Sequence, residues 1–199
     1  MPSLNPIAMG RILSEYPPPR SNVVLLSCMD LRLVDELASF MDRDNLTNRY
    51  DHLIMAGAAL GVMRPGHDNW RSTFFEHLDI ALKVHWPVED IYILEHRSCG
   101  AYAKFLDAHF GDSPKEQARE LKTHREYASQ LAEEIQAWAA LQTPINEKPV
   151  RLNVRSFLMD LRGDIELLGY HPARPTASAG RNGKNGAAKT GKKSRRATS

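Results

Sequence analysis

The chain contains, at residues 22–32, the stretch NVVLLSCMDLR. Between Asn22 and Ser27 it is a continuous apolar run, which is typical of a strand buried on both faces of a parallel sheet. From Leu33 to Met41 the apolar residues recur at helical spacing, which predicts a helix directly after the strand. The stretch therefore predicts the first strand and helix of an α/β fold.

The same alternation of strand and helix continues along the chain. Short apolar runs at residues 53–55 and 91–94 predict two more strands, and Phe74, Leu78 and Leu82 predict a helix between them. Glycines and a proline within residues 57–66 predict a loop before that helix. A helical pattern over residues 99–110 follows the third strand.

A long helix is predicted to start at Ser113. Ser113-Pro114-Lys115-Glu116 supplies an N-cap, a proline at the first helical position and a capping-box glutamate. Thr143-Pro144 is expected to end the helix. Its predicted core stripe consists of Ala128, Leu131, Ile135, Trp138 and Leu141.

The last elements complete the predicted fold. Residues 150–155 alternate apolar with polar, and a turn at residues 162–164 precedes an apolar run, which together predict a closing antiparallel hairpin. The expected class is α/β, with a mostly parallel central sheet, flanking helices and that hairpin. We expect one domain over residues 22–171, preceded by an N-terminal arm and followed by a tail at residues 172–199.

Composition limits the classes of protein. With 199 residues and 42% hydrophobic content, the chain can build the core of one domain. No run of 18 apolar residues occurs, and the proline-containing N-terminus has no long apolar centre, which argues against a membrane span and a secretory signal. Two cysteines are too few for a disulfide framework. A cytoplasmic location is expected.

The tail at residues 172–199 differs from the rest of the chain in charge. It holds eight basic residues and no acidic one, so the preceding 171 residues carry a net charge of −6 although the whole chain carries +2. Without aromatic residues, Leu, Ile or Val it cannot bury enough apolar surface to order, so disorder is expected. A solubilising extension is the favoured interpretation, and weak contact with nucleic acid or another polyanion is the alternative.

Two strand ends carry chemically unusual residues. Cys28 follows the first strand, and the third strand runs into HRSCG at residues 96–100. If the two strands are neighbours, Cys28, His96 and Cys99 meet at one edge of the sheet. Two sulfur ligands and one nitrogen ligand form a set used by catalytic zinc, with a fourth position left for water. Taken singly, a buried cysteine is usually a small hydrophobe and a lone loop histidine is usually solvated.

Together the two motifs resemble those of the β-class carbonic anhydrases. That family carries Cys-x-Asp-x-Arg after its first strand and His-x-x-Cys-Gly after a later one, and these patterns occur here at residues 28–32 and 96–100. The helix at residues 74–84 and the hairpin ending near Tyr170 are also similar. The resemblance covers roughly residues 20–170.

The resemblance implies a chemistry and a set of residue roles. It implies a zinc enzyme that interconverts carbon dioxide and bicarbonate, with Zn²⁺ held by Cys28, His96 and Cys99. Asp30 would accept the hydrogen bond of the zinc hydroxide or, as in some relatives, bind the zinc itself and close the site. Arg32 would hold Asp30 ionised through a charge-assisted pair. A homodimer or a higher oligomer of dimers is also implied.

Hydration of carbon dioxide also releases a proton, which must reach solvent. His52, His67 and His77 are candidates to carry it, although such histidines are more often ordinary surface residues.

One departure from the family pattern bears on the substrate. Family members usually have Arg-Asn-Ala-Gly-Asn after the second strand, whereas residues 54–58 are Ile-Met-Ala-Gly-Ala, and Leu31 replaces a residue that is commonly small and polar. A less polar pocket leaves hydrolysis of carbonyl sulfide or carbon disulfide as the second hypothesis. A non-enzymatic zinc-binding module with a basic interaction tail is the third, disfavoured because structural zinc usually has four protein ligands and the chain has no third cysteine.

Overall fold

The computed structural model describes residues 21–174. The remaining residues, 1–20 and 175–199, hold nearly all of the predicted arm and tail and lie outside the described range. The expected disorder of the basic tail therefore stays a prediction.

Strands and helices alternate along the described chain. The strands are β1 (Asn22–Ser27), β2 (Tyr50–Ile54), β3 (Val88–His96), β4 (Asn153–Met159) and β5 (Ile165–His171). The α-helices are α1 (Val34–Arg43), α2 (Ala58–Met63), α3 (Asp68–Val84), α4 (Gly100–Leu106) and α5 (Pro114–Ala140). A 3₁₀ turn at Leu31–Leu33 joins β1 to α1.

The strands form one mixed sheet in the order β2-β1-β3-β4-β5. The first four are parallel, and β5 pairs with β4 in the antiparallel sense. The predicted α/β class, with a mostly parallel sheet and a closing antiparallel hairpin, is confirmed. Because β1 and β3 are direct neighbours, with Ser27 opposite Leu94, the residues that follow the two strands emerge at the same edge of the sheet.

Both faces of the sheet are covered, which explains the unbroken apolar run of β1. Val24 and Leu26 belong to the cluster formed with α2, α3 and α5, whereas Val23 and Leu25 pack on the α1 side. All four side chains are fully buried. Burial on this scale stabilises the fold by roughly 1.5–3 kcal/mol for each large aliphatic side chain.

The loop predicted over residues 57–66 is wrong, because Ala58–Met63 forms the buried helix α2. Gly57 does have the positive φ of a turn residue, at 77°. Gly61 has a different function, since a Cβ there would lie 2.4 Å from the carbonyl oxygen of Ala56. A glycine required for close packing has the same letter as one required for a turn, and the sequence pattern could not separate them.

Helix α5 begins as predicted and ends earlier. Ser113 Oγ accepts the backbone N–H of Glu116 at 3.3 Å, with Pro114 as the first helical residue. The helix stops at Ala140, so Leu141, predicted to lie on the core stripe, is 84% exposed. That part of the prediction is wrong. Across residues 21–174, no helix combines the length and the apolar character that crossing a bilayer requires.

Candidate metal centre

Three potential ligands meet where β1 and β3 end. Cys28 follows β1, His96 is the last residue of β3, and Cys99 is the N-cap of α4. The two Sγ atoms lie 3.8 Å apart, and the three ligand atoms all lie within 4.8 Å of one another. His96 and Cys99 are buried and Cys28 is partly buried. The arrangement predicted from the two strand ends is therefore compatible with a metal ion.

The hydrogen bonds of His96 leave one ring nitrogen available to a metal. Its Nδ1 lies 2.9 Å from the carbonyl oxygen of Arg97, which can only accept, so Nδ1 carries the proton. Nε2 then holds a lone pair, and this buried atom has no hydrogen-bond partner among residues 21–174. A backbone carbonyl that fixes the tautomer is the usual support for a metal-bound histidine. The residues present fit a bound metal ion.

The two thiols differ in acidity before any metal binds. A hydrogen bond from Cys99 lowers the pKa of Cys28, and a hydrogen bond from the backbone N–H of Gly57, at 3.3 Å, lowers it further. The bond to the Cys28 sulfur raises the pKa of Cys99. Burial alone would lower the pKa of His96, but the neighbouring Cys28 raises it. A metal ion that uses all three residues must therefore displace protons.

Asp30 and Arg32 form a two-pronged ion pair beside these ligands. Arg32 Nε lies 2.8 Å from Asp30 Oδ1, and Arg32 Nη2 lies 2.6 Å from Asp30 Oδ2. The hydrogen bonds from Arg32 lower the pKa of Asp30 to about 2, so the carboxylate is ionised at neutral pH. Arg32 Nη2 also donates to the carbonyl oxygen of Ser98, at 3.1 Å. The pair is thereby tied to the turn between His96 and Cys99.

The sequence analysis did not identify two buried acidic residues that support the site. Glu120 of α5 is 3% exposed and accepts the backbone N–H of Ser98 at 2.6 Å and the Arg97 guanidinium at 3.1 Å. A signal was present in the sequence, because Glu120 and His124 continue the apolar stripe of α5, about two turns and one turn before Ala128 respectively. Polar residues on a buried helical stripe usually have a specific partner.

The second buried acidic residue is Glu95, next to His96. Its Oε1 accepts the backbone N–H of Ala59 at 2.9 Å, and its Oε2 accepts Nδ1 of His124 at 2.9 Å. Both side chains are almost fully buried. The pair links β3 to the first residues of α2 and to α5, and so supports the turn in which Gly57 faces Cys28.

The three histidines considered for proton transfer lie outside the cluster of ligand atoms. Nε2 of His52, on β2, lies 2.7 Å from Ser27 Oγ, within hydrogen-bond distance. Burial lowers the pKa of His52. His77 of α3 donates its Nδ1–H to the backbone carbonyl oxygen of Thr73 at 2.8 Å. His67 precedes α3 and contacts the ring of Trp70.

Comparison with known proteins identifies close relatives. No family model matches the sequence. The chain is 33% identical over 154 residues to an uncharacterized protein of Rickettsia bellii, covering 77% of this chain and 85% of the relative. The chain belongs to the family of that protein. A second uncharacterized member, from Rickettsia conorii, is 31% identical over 153 residues, covering 77% of this chain and 75% of the relative.

The solved structures to which this chain is similar include β-carbonic anhydrases, the family that its two motifs resemble. One is CafD of Aspergillus fumigatus, at 20% identity and a TM-score of 0.45 over 79% of this chain and 94% of that one. Another is described as a tetrameric β-carbonic anhydrase of Sordaria macrospora, at 18% identity and a TM-score of 0.38 over 83% and 93%. A carbon disulfide hydrolase matches at 13% identity and a TM-score of 0.35 over 80% and 88%.

Proposed function

We propose that the protein is a zinc enzyme that reversibly hydrates carbon dioxide to bicarbonate. The observation that carries the proposal is the buried Nε2 of His96, which has no hydrogen-bond partner within residues 21–174 and lies close to two thiols and an ionised carboxylate. Two sulfur donors and one imidazole suit zinc better than calcium or magnesium, which prefer oxygen ligands. Cys28, His96 and Cys99 would hold the ion.

A zinc ion with three protein ligands and one open position supplies a Lewis acid that lowers the pKa of a water molecule there and makes hydroxide available near neutral pH. Asp30 contributes a fixed acceptor. Its Oδ1 receives both the backbone N–H and Nε of Arg32, at 3.1 and 2.8 Å, while Oδ2 lies 3.8 Å from His96 Nε2. Oδ2 is therefore the oxygen that accepts a hydrogen bond from the nucleophile and orients its attack.

Arg32 keeps Asp30 in that role. Because Arg32 Nη2 also donates to the carbonyl oxygen of Ser98, the guanidinium cannot turn away without breaking three hydrogen bonds. The carboxylate is held by charge and by geometry, which opposes its rotation onto the metal. We therefore favour the open site, in which Asp30 does not bind zinc, as the resting state.

The surroundings of the thiols favour a small apolar substrate. Leu60, Tyr102 and Phe105 form an apolar cluster with Cys28 and Cys99. Carbon dioxide is a linear, apolar molecule, so it is compatible with these apolar surroundings. Carbonyl sulfide and carbon disulfide share these properties, so hydrolysis of either is the second candidate function.

The deciding experiment compares substrates on one preparation. Zinc-loaded protein is assayed by stopped flow for carbon dioxide hydration, and in parallel for release of sulfide from carbonyl sulfide and carbon disulfide. Faster turnover of carbon dioxide supports the proposal, and faster release of sulfide moves the assignment to the second candidate. Protein that holds zinc and turns over none of the three is a non-enzymatic zinc module.

We also propose that the protein is a homodimer or an oligomer of dimers. Large apolar side chains are exposed next to the candidate site: Met29, Leu31, Val34 and Ile54 are 68%, 85%, 64% and 57% exposed. A second copy that covers them would shield the site from bulk water. Light scattering is expected to give at least the dimer mass for the native protein and a smaller mass for Leu31→Asp. A monomeric native protein would contradict the proposal.

A reducing, cytoplasmic location belongs to the same proposal. Cys28 and Cys99 are both free thiols and must remain so to bind a metal. Oxidation of the pair to a disulfide would remove two of the three ligands.

A further inference from the structure

We infer that Glu120, on the helix α5, is a positioning residue that sets the geometry of the metal centre through the turn between His96 and Cys99. The inference rests on the proposed metal site, but it concerns how the chain builds that site and not which substrate it uses. Glu120 does not reach the ligand atoms. It acts through Ser98.

The turn between the two ligands needs external support. Only Arg97 and Ser98 separate His96 from Cys99, and Ser98 has a φ of 56°. That left-handed conformation is unfavourable for residues with a side chain and is adopted most easily by glycine. Because the conformation of Ser98 fixes the distance between the two ligands, anything that holds it also holds the ligand set.

Glu120 supplies that support with both carboxylate oxygens. Oε1 accepts the Ser98 backbone N–H at 2.6 Å, and Oε2 accepts Arg97 Nη1 at 3.1 Å. The side chain of Glu120 is 4% exposed, so water competes little for these contacts. A buried carboxylate is costly unless it is paired, and both partners of this one belong to the turn.

The support extends from the turn to the proposed acceptor of the nucleophile. The carbonyl oxygen of Ser98 accepts Arg32 Nη2 at 3.1 Å, and Arg32 in turn holds Asp30. A single residue, Ser98, is thus held by Glu120 at its N–H and holds Arg32 at its carbonyl. Displacing Glu120 would loosen the ligand pair and the Asp30 carboxylate together.

The test compares Glu120→Gln with Glu126→Gln. Gln keeps the shape of Glu120 but points an amide N–H₂ at either the Ser98 N–H or the Arg97 guanidinium, so one hydrogen bond becomes a contact between donors. Glu126 lies on the same helix, is exposed and pairs only loosely with Lys122 at 3.7 Å. The zinc affinity, measured by competition with a chromophoric chelator, is expected to fall about tenfold or more in Glu120→Gln and to stay unchanged in Glu126→Gln.

A rescue experiment separates positioning from general stability. Because glycine adopts the conformation of Ser98 without strain, Ser98→Gly combined with Glu120→Gln is expected to recover most of the lost zinc affinity. Glu120→Gln should also lower the melting temperature. The double variant should not restore it, because the buried contact is still missing. The visible spectrum of the cobalt-loaded protein should change in Glu120→Gln and return in the double variant. Failure of Ser98→Gly to restore affinity would show a merely structural role.

The exposed position of Ser98 allows a second test if Glu120→Gln does not fold. Ser98→Val keeps Glu120 but places a β-branched residue at positive φ, and it is expected to weaken zinc binding, whereas Ser98→Gly should not. Equal affinity of the two variants would overturn the inference. These results do not depend on carbon dioxide turnover, so loss of the proposed function would leave them intact, and their failure would leave the proposed function intact.

Discussion

Asp30 Oδ2 lies 3.8 Å from His96 Nε2, which is longer than a hydrogen bond. The two residues come from different strand ends, Asp30 after β1 and His96 at the end of β3. The direct pairing of those strands brings them together. The carboxylate of Asp30 therefore lies beside the imidazole lone pair, and Arg32 holds it there.

Replacing Arg32 by alanine should therefore separate zinc binding from catalysis. No ligand is removed, so the zinc content should stay near that of the native protein. Loss of Arg32 moves the pKa of Asp30 up from about 2 toward its ordinary value, still far below neutral pH, so orientation is lost and not charge. The rate at neutral pH should fall roughly 10- to 100-fold. Zinc analysis and a stopped-flow pH profile measure the two effects.

The profile of Arg32→Ala should also change shape. A freed Asp30 can swing onto the metal, and hydroxide displaces it better at higher pH, so activity should recover only on the alkaline side. Arg162→Ala is the matched control, because Arg162 pairs with Asp160 in the same two-residue spacing, in the turn between β4 and β5, and neither residue is a proposed ligand. An Arg32→Ala enzyme with the native rate and profile would rule out this role for Asp30.

Removing a ligand should act on the metal itself. The native protein is expected to bind about one zinc per chain, and Cys99→Ser and His96→Gln should each weaken binding by more than the roughly 10- to 100-fold seen for outer partners. His67→Gln serves as the control for loss of a histidine outside the cluster. Full zinc occupancy in Cys99→Ser under chelator competition would show that the ligand assignment is wrong.

The part of the site that the sequence predicted is the part that is local in the chain. Asp30 lies two residues from both Cys28 and Arg32, and Cys99 lies three residues from His96. These short spacings fix the arrangement within each motif, and the pairing of β1 with β3 places the two motifs side by side. Glu120 and His124 come from a helix more than twenty residues farther along. Their contacts depend on how α5 crosses the sheet, which periodicity alone does not specify.

The errors in the predicted fold have a similar origin. Helix α2 was missed because Gly57 and Gly61 read as loop signals, although only tertiary packing reveals that Gly61 approaches the Ala56 carbonyl. The exposed Leu141 continued an apolar stripe past the end of α5. In both cases the residues do follow the local sequence pattern. Packing against neighbouring elements, which that pattern does not report, determined the structure that formed.

Zinc affinity should rise with pH. The pKa of Cys99 is raised above its ordinary value, so this thiol keeps its proton at neutral pH and must release it to bind a metal. The neighbouring Cys28 also raises the pKa of His96, and the protonated imidazole cannot bind a metal. Cys28, with its lowered pKa, is already a thiolate. Each proton released strengthens binding roughly tenfold per pH unit. Chelator competition between pH 6 and 8 measures the slope, and a flat dependence would contradict three-residue ligation.

The buried pair of Glu95 and His124 should matter for stability. His124→Leu leaves the Glu95 carboxyl without its side-chain partner in the interior and should cost about 3–5 kcal/mol of unfolding free energy. Replacing both residues, with Glu95→Leu added, should cost less than the sum of the two single changes, because neither side chain of the pair is then left without the other. The Ala59 N–H loses its acceptor equally in both variants that lack Glu95, so this loss does not enter the comparison. Urea unfolding of the three variants gives the coupling energy. Strict additivity would mean that the contact is not energetically coupled.

The first three residues of the basic tail, 172–174, make hydrogen bonds to the body of the domain. Gln136 donates to the carbonyl oxygen of Pro172 at 2.8 Å, Asn153 accepts the Ala173 N–H at 3.0 Å, and Arg174 donates to Gln136 at 3.1 Å. Deleting residues 172–199 removes these bonds and uncovers the buried Gln136. It should lower the melting temperature by several degrees, at roughly 0.5–1.5 kcal/mol per hydrogen bond.

Deleting only residues 175–199 should leave the zinc content, the rate and the melting temperature close to those of the full chain. The removed segment contains no large apolar residue and no cysteine, histidine or acidic residue, so it offers neither a core anchor nor a metal ligand. Its positive charges could still act on the body, since residues 1–171 carry a net charge of −6. A marked loss of stability that disappears at high salt would show such docking, because screening weakens contacts between exposed charges.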